Sequence, residues 1–342
     1  MKKMLKTAAL SAAIAATATS VTTAAQAADF NLRFASFFPP VAAPHKEVFI
    51  AWAEKVKADS NGRIEVEMYP SSTLAKPPAL YDAAANGIAD VIATVQGYTA
   101  NRFPLTQIVE LPGIVTDAQQ GSCVIQKMYD EGLTSGEYEE THPLFMFTHG
   151  QGHIHTKETL VKEPSDLAGL RIRRPTSVVA KILEEVEAQP VGMPAPESYQ
   201  SMQRGVIDGV SLPWEGMKSF RLNELATKHT EIGLYSLSFV VTMNKRTYDS
   251  MPADLQKVID DNSGMLWANK AGMVFDAQDG EGRKDAVAAG HEILTIEGGV
   301  ENEAWKPVVA AATENYLQEL EDKGLPARDV YARTLELAKL CQ

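Results

Sequence analysis

Residues 80–93 read LYDAAANGIADVIA, an amphipathic helix followed by a stop at Gly87 and a run of buried-strand residues. The same pattern returns 118 residues later in SYQSMQRGVIDGVS, residues 198–211, where Gly205 takes the place of the first glycine. Two copies of one helix–glycine–strand unit predict two similar α/β lobes. Chance similarity between two examples of a common unit is the alternative interpretation.

The alternation of strands and helices extends over the rest of the chain. Residues 31–36 alternate as a strand does, 48–56 have helical spacing, and 64–68 alternate again. This order predicts an α/β fold with mixed, mostly parallel sheets. Residues 252–291 are expected to form one long helical region that glycines weaken and bend, and 305–323 a second helix. Because no low-complexity linker interrupts the chain, we expect two lobes joined by several crossings.

The first 27 residues have the pattern of a secretory signal peptide. Lysines give a basic start, an uncharged Ala-rich stretch follows, and Ala25-Gln26-Ala27 is an A-x-A cleavage site. We expect cleavage between Ala27 and Ala28 and a mature protein in the periplasm. A membrane anchor is the alternative, but the stretch is poor in Leu and would span a bilayer badly.

The formal charge of −12 argues against nucleic acid and anionic lipid as partners. An acid ligand would need a local positive site, because the overall field opposes it. Cys123 and Cys341 are an even pair outside the cytoplasm, which predicts an intrachain disulfide between the C-terminus and the helix around Cys123. Two unpaired thiols are the alternative, and neither cysteine has a CxxC context.

A ligand site is expected where several strands end, since open α/β sheets bind ligands beyond the carboxyl ends of their strands. These ends supply cations, aromatic walls and hydrogen-bonding groups, the usual lining of a small-molecule cleft. The candidate ligand-binding residues are Arg173, Trp214, Glu215, Gln151, Tyr98, Phe38, Arg174 and His153. Strand alternation places Arg171 and Arg173 on one face and Arg174 on the other, so only one or two of them reach a cleft.

Two motifs resemble those of a family of transport proteins. The first is LAGLRIRRP at residues 167–175. The second consists of Pro190, Met193, Glu197, Tyr199, Met202, Gln203, Gly205, Ile207, Asp208 and Gly209. With these motifs the chain resembles the extracytoplasmic solute-binding subunits of TRAP transporters, the dicarboxylate-type binding-protein family, over nearly all of its mature length. The resemblance implies a two-lobed fold like that of type II periplasmic binding proteins, with a central cleft and a long helix spanning both lobes.

The resemblance also implies an organisation and a mechanism. Lobe I would comprise residues 28–149 and 238–277, and lobe II residues 150–237 and 278–342. The protein, expected to be a monomer, would bind a small organic acid, close over it and deliver it to the small and large integral-membrane subunits of the transporter. By resemblance Arg173 grips the ligand carboxylate, which a planar guanidinium does through two parallel hydrogen bonds. Neither a cofactor nor catalysis is expected.

Three positions depart from the sialic-acid-binding members of that family. Those members carry an arginine, an asparagine and a phenylalanine where this chain has Gly152, Leu212 and Ala195. Two polar anchors are therefore missing and one wall is smaller. The departures favour a simple or aromatic monocarboxylate over a polyhydroxylated sugar acid.

Trp214 and Glu215 leave other interpretations open. Trp214 would stack on a flat ligand, or it belongs to the core or the lobe interface. Glu215 would repel a carboxylate unless it pairs with Arg174, accepts from a ligand group, or holds with Gln151 a metal cation that bridges to the acid. A small amino alcohol is an alternative ligand, because Glu215, Trp214 and Tyr98 suit a cation.

The histidines suggest further alternatives. His149, His153 and His155 resemble a zinc cluster, although no fourth ligand has recognisable spacing, and ordinary histidines at a cleft edge are the other interpretation. An exported hydrolase using His153 and Glu215 is a rival, but G-x-S-x-G, H-E-x-x-H and P-loop motifs are absent from the sequence. A sensory receptor that feeds a signalling protein is another.

Overall fold

Two β-sheets flanked by helices form the protein, whose computed structural model describes residues 28–342. The predicted signal peptide, residues 1–27, lies outside the described residues, so its cleavage stays a prediction. Within the described range, no helix combines the length and the apolar character needed to cross a bilayer.

The strands form a five-stranded first sheet and a six-stranded second sheet. Their bounds are β1 Phe30–Ser36, β2 Ile64–Tyr69, β3 Val91–Val95, β4 Thr141–Thr148, β5 Gly152–Thr156, β6 Arg171–Arg174, β7 Gln189–Gly192, β8 Gly209–Leu212, β9 Lys228–Tyr235, β10 Ser238–Asn244 and β11 Glu292–Thr295. The first sheet has the order β2-β1-β3-β10-β4 and the second β11-β9-β5-β8-β6-β7.

Both sheets are mixed. In the first, β1 is parallel to β2 and β3, whereas β10 is antiparallel to β3 and β4. In the second, β6 is parallel to β7 and β8, β11 is parallel to β9, and β5 is antiparallel to both neighbours. The chain crosses between the sheets after β4, after β9 and again before β11. The predicted α/β class with two lobes is therefore confirmed; below, lobe I contains the first sheet and lobe II the second.

Helices cover the two sheets. Their bounds are α1 Ala51–Asp59, α2 Leu80–Ala85, α3 Ala118–Asp130, α4 Ser177–Glu185, α5 Ser198–Gln203, α6 Trp214–Ser219, α7 Lys245–Asp249, α8 Ala253–Asp261, α9 Met265–Ala288, α10 Lys306–Asp322 and α11 Ala327–Leu340. A π-helical turn, Pro44–Ile50, leads directly into α1.

The repeated sequence unit has the same structure in both lobes. It forms a short helix, a glycine turn of positive φ and a strand, as α2 and β3 in lobe I and as α5 and β8 in lobe II. An arginine on a neighbouring strand holds each turn, with Arg33 Nε 2.8 Å from Asp90 and Arg171 Nε 3.0 Å from Asp208. Each guanidinium also donates to the carbonyl oxygen of the turn glycine. Arg171 therefore has a structural role, because its guanidinium binds Asp208 and the carbonyl oxygen of Gly205.

The long helical region predicted for 252–291 is two helices rather than one. α8 ends at Asp261, and α9 begins after Gly264, whose φ of 68° and ψ of −147° suit a residue without Cβ. α9 spans 24 residues and packs against α3 and β4 of lobe I and against α6 of lobe II. The predicted helix spanning both lobes is therefore present.

Aromatic side chains build the core of lobe I. The ring of Phe34 on β1 lies 5.3 Å from the ring of Phe49 and 5.8 Å from that of Trp52. All three side chains are fully buried. Burying one such side chain contributes about 1.5–3 kcal/mol, so this contact fixes the first helical segment on the sheet.

The C-terminal helix α11 packs on α3 of lobe I. A disulfide joins Cys123 to Cys341 at its end, as predicted, and Gln120 Nε2 donates to the Ala338 carbonyl oxygen at 2.8 Å. The predicted lobe boundaries remain a prediction. They agree with the division of the strands between the two sheets, but they assign α11 to lobe II, whereas α11 packs on lobe I.

Candidate functional site

Arg173, the third residue of β6, is completely buried and reaches from lobe II to lobe I. Its Nε donates to the Met193 carbonyl oxygen at 2.9 Å and its Nη1 to the Ser211 carbonyl oxygen at 3.1 Å. Its Nη2 donates to the Tyr98 hydroxyl at 3.0 Å. All three acceptors are neutral, so they orient the guanidinium without balancing its charge.

The charge of Arg173 has no counter-ion within residues 28–342, where its partners are these three oxygens. A buried charge without a partner is strongly unfavourable. A guanidinium has five N–H donors, so one N–H on each terminal nitrogen remains for another acceptor. Two such donors match the two oxygens of a carboxylate.

Tyr98 connects this site to lobe I. It lies in the turn that follows β3, and its hydroxyl accepts from Arg173 and from the Ala195 backbone amide at 3.0 Å. Both donors belong to lobe II, so the hydroxyl joins the two lobes beside the guanidinium.

A cluster of aromatic rings packs next to Tyr98. The Phe37 ring centroid is 5.6 Å from that of Tyr98, and Phe37 stacks on Phe38 at 4.5 Å. Phe220 of lobe II stacks on Phe37 at 6.4 Å, and the Phe239 ring lies 6.2 Å from Phe38. Of these rings, Tyr98 and Phe38 were predicted as ligand contacts from the sequence, and the other three were not.

A cavity of about 620 Å³ opens between the lobes beside these rings. Phe37 and Phe220 belong to its lining, residues 41–43 add apolar side chains from lobe I, and Tyr199 adds a ring from lobe II. Gln278 of α9 lies in the same lining, so the cavity has walls from both lobes and from the helix that joins them.

Tyr235 lies at the end of β9 on the lobe II side, and sequence patterns gave no signal for it. Its ring crosses β5 over Gly152, where a Cβ would lie only 2.2 Å from Tyr235 Cε1. The ring of His149 is 5.6 Å away. Burial, with a smaller effect from the Arg173 charge, lowers the pKa of His149 to about 3, so this imidazole is neutral.

Three other predicted residues lie elsewhere, at α9. Gln151, His153 and Trp214 line a separate cavity of about 260 Å³, whose opposite wall includes Asp279 and Arg283. Six of the eight predicted residues therefore form two groups, with Arg173, Tyr98 and Phe38 around the guanidinium and Gln151, His153 and Trp214 beside α9.

Trp214 is a core residue of lobe II. Its side chain is buried and its indole N–H donates to Glu231 at 2.9 Å. Its ring lies 4.8 Å from both the His155 and the His229 rings. The structure thus places Trp214 among side chains of its own lobe, away from the rings around Arg173.

Glu215 is buried at the N-terminus of α6. Its carboxylate accepts from the Ser219 hydroxyl, and burial raises its pKa to about 7. The alternative ion pair between Glu215 and Arg174 is not formed. Arg174 lies on the other face of β6, as alternation predicts, with its guanidinium so close to Gly192 that a Cβ there would be 2.9 Å from Arg174 Cζ.

The three histidines of the zinc interpretation have separate partners. His149 donates to one backbone carbonyl oxygen and accepts from one backbone amide, while His153 Nδ1 accepts from two backbone amides. His155 donates to the Leu212 carbonyl oxygen at 3.0 Å and accepts from His229 at 2.8 Å. Across residues 28–342, no set of three or more His, Cys, Asp and Glu side chains is arranged to hold a metal ion.

The sequence matches the family model of the bacterial extracellular solute-binding protein, family 7 (DctP), over residues 34–319. The chain belongs to this family. Its members are TRAP-type solute-binding proteins, so the resemblance found in 167–175 and 190–209 is confirmed, and the family is one of binding proteins rather than of enzymes.

Two solved structures share this fold over most of their length. A TRAP solute-binding protein from Rhodoferax ferrireducens T118, in complex with copurified benzoate, has a TM-score of 0.87 at 35% identity, covering 91% of this chain and 98% of that chain. A marine metagenome TRAP solute-binding protein specific for aromatic acid ligands, in complex with 3-hydroxybenzoate, has a TM-score of 0.86 at 36% identity, covering 91% and 98%.

A curated relative agrees with this assignment. A solute-binding protein of Albidiferax ferrireducens is 28% identical over 211 residues, which cover 61% of this chain and 62% of that protein. The matched segment thus spans less than two thirds of that relative's length.

Proposed function

We propose that this protein captures an aromatic monocarboxylate between its lobes and delivers it to the membrane subunits of a TRAP transporter. The observation that carries the proposal is Arg173, a completely buried guanidinium whose partners within residues 28–342 are three neutral oxygens. A bound carboxylate supplies the missing negative charge.

Arg173 and Tyr98 act together in this proposal. The two remaining N–H groups of Arg173 bind the carboxylate, and the Tyr98 hydroxyl holds the guanidinium from the lobe I side. Because the Tyr98 contact exists only when the lobes are together, it favours the closed state that buries the ligand.

The rings around the site favour an aromatic ligand body. Phe37 forms the wall on lobe I with Phe38 stacked behind it, and Phe220 faces Phe37 from lobe II. Aromatic pairs add about 0.5–1.5 kcal/mol beyond the burial of their area. Relatives of 35% and 36% identity bind benzoate and 3-hydroxybenzoate, ligands with one carboxylate and one ring.

The residues grouped at α9 have another role in this proposal. Gln151, His153, Trp214 and Glu215 have partners of their own around that helix. We assign them to the junction of the lobes rather than to ligand contact. The rival hydrolase would need His153 and Glu215 at the ligand. Release of benzoate from a benzoate ester would support that rival, and recovery of the ester unchanged after prolonged incubation would count against it.

Calorimetric titration with benzoate, 3-hydroxybenzoate, succinate and glucuronate tests the proposal. We expect the two aromatic acids to bind at about −8 kcal/mol or better and the sugar acid to bind far more weakly. Arg173→Lys keeps the charge but loses the planar fork, so it should weaken benzoate binding by roughly tenfold or more. Arg174→Lys, the matched control on the same strand, should not. Equal affinities of wild type and Arg173→Lys would contradict the proposal.

We further propose that export to the periplasm removes residues 1–27 by cleavage between Ala27 and Ala28. The supporting pattern is the A-x-A site at residues 25–27. The intact mass of the protein recovered from the periplasm measures the cleavage directly, and a mass that retains these residues would contradict it.

A further inference from the structure

Tyr235 buries a hydroxyl that makes no hydrogen bond of full strength within residues 28–342. Its side chain is 2% exposed, no described atom meets hydrogen-bond geometry with its oxygen, and the Ser211 hydroxyl is near enough only for a weak interaction. Buried polar groups almost always have a partner, so an exception needs an explanation. The Tyr235 hydroxyl lies beside Arg173, whose two terminal nitrogens each have one N–H group without an acceptor among residues 28–342.

Gly152 determines where this hydroxyl lies. Tyr235 pairs with Gly152 between β9 and β5, and a Cβ on Gly152 would be 2.2 Å from Cε1 and 2.4 Å from Cζ of the ring. Because glycine leaves this space open, the ring crosses β5 and carries its hydroxyl toward Ser211 on β8 and Arg173 on β6. The Ser211 hydroxyl already donates to the Arg173 carbonyl oxygen at 3.0 Å.

We propose that the Tyr235 hydroxyl donates a hydrogen bond to the same ligand carboxylate that Arg173 binds, which makes Tyr235 a specificity-determining residue. This inference rests on the proposed function. The site then offers a carboxylate three donors, two from the guanidinium and one from the phenol, and the carboxylate oxygens have lone pairs for all of them. Burial raises the pKa of Tyr235, so its hydroxyl keeps its proton at neutral pH.

Calorimetry and thermal unfolding of Tyr235→Phe test the inference. The substitution removes one oxygen and keeps the ring, so the Kd for benzoate and for 3-hydroxybenzoate should both rise roughly tenfold or more. The unfolding midpoint without ligand should stay the same or rise, because the variant no longer buries an unpaired hydroxyl. A purely structural role would instead lower the midpoint.

Thr242→Val is the matched control, since Thr242 on β10 also buries a hydroxyl that has no hydrogen-bond partner among residues 28–342. This variant should bind both acids as the wild type does. Unchanged benzoate affinity in Tyr235→Phe would overturn the role of Tyr235 and leave the proposed function standing. Loss confined to 3-hydroxybenzoate would assign Tyr235 to the ring hydroxyl and also overturn it. A wild type that binds neither acid would overturn the proposed function itself.

Discussion

At the scale of residues, Arg173 supplies a local positive charge in a molecule whose net charge is negative. The formal net charge of −12 repels an anion at long range, but salt screens that repulsion beyond about 8–10 Å. Inside the cleft the guanidinium is buried among neutral oxygens, where its attraction for a carboxylate is stronger than in water. A single oriented cation therefore suffices to select an acid at short range.

Glu110 predicts a pH dependence of stability. Its buried carboxyl accepts from the Thr176 hydroxyl of lobe II at 2.8 Å and from Ser238, and burial raises its pKa from 4.5 to about 7. The folded state holds this proton more tightly than the unfolded state. Its stabilisation is therefore fully present below about pH 4.5 and is lost as the pH rises through about 7. From about pH 5 to about pH 8, wild type should lose on the order of 3 kcal/mol relative to Glu110→Gln.

Urea denaturation at both pH values measures this difference. Other titrating groups, including Glu215 and the buried histidines, are common to both proteins and cancel in the comparison. Glu139→Gln is the control, because Glu139 is exposed and no bond joins its carboxylate to the other lobe. A difference between wild type and Glu110→Gln that stays constant with pH would disprove the assignment.

Sequence patterns predicted part of the site and missed the rest for a physical reason. Arg173, Tyr98 and Phe38 follow strands or lie in a motif, so their positions in the chain indicate a strand end. Tyr235 and Phe220 reach the site through contacts that depend on strand register and on how the lobes meet. Those relations are not encoded in the local spacing of residues.

At the scale of elements, α9 holds both lobes by the same chemistry. Asp276 accepts from the Ala118 amide at the start of α3 at 2.7 Å, and Asp279, one turn later, accepts from the Glu215 amide at the start of α6 at 2.6 Å. Carboxylates satisfy the free amides of helix N-termini and interact favourably with the helix dipole. One helix thus caps a helix of each lobe.

Two glycines of α9 should respond to alanine in opposite directions. A Cβ on Gly282 would lie 2.2 Å from the Trp214 carbonyl oxygen, whereas a Cβ on Gly280 would meet nothing within 4 Å. Gly282→Ala should destabilise the fold by about 1–3 kcal/mol through overpacking. Gly280→Ala should stabilise it by about 0.5–1 kcal/mol through helix propensity. Urea denaturation measures both, and equal effects of the two substitutions would contradict this packing.

These glycines also mark a limit of sequence analysis at this scale. The sequence predicted that glycines weaken the long helical region, and Gly264 does divide it into α8 and α9. Gly272 and Gly282 instead give room for the backbones of α3 and α6, since a Cβ on Gly272 would be 2.7 Å from the Ala118 carbonyl oxygen. Which glycine faces a backbone depends on packing between distant elements.

At the scale of the whole molecule, the lobes meet closely at Gly97. A Cβ on Gly97 of lobe I would lie 2.4 Å from Thr176 Cγ2 of lobe II. Gly97→Ala should therefore shift the molecule toward an open form and weaken benzoate binding by roughly tenfold, although Gly97 does not touch the proposed ligand. Calorimetry and small-angle scattering with benzoate measure the two effects.

Gly136→Ala is the control for this closure, because a Cβ on Gly136 would meet nothing within 4 Å. We expect it to bind benzoate and to contract with ligand as the wild type does. If Gly97→Ala behaved in the same way, closure would not depend on the contact between Gly97 and Thr176.

The two-lobed fold was predictable because the same helix–glycine–strand pattern occurs twice in the sequence, at 80–93 and at 198–211. The position of α11 was not predictable. This helix follows both lobes in the chain, and its own sequence does not indicate which surface it covers. Its contact with α3 and the disulfide from Cys123 to Cys341 are long-range features. The two cysteines predicted the disulfide, but they did not predict the surface on which α11 packs.

A crystal structure of the protein with 3-hydroxybenzoate tests the central claim most directly. We expect the ligand carboxylate to receive hydrogen bonds from both terminal nitrogens of Arg173, with the ligand ring against Phe37. A ligand bound with its carboxylate away from Arg173, or in the cavity at α9 beside Trp214, would contradict it.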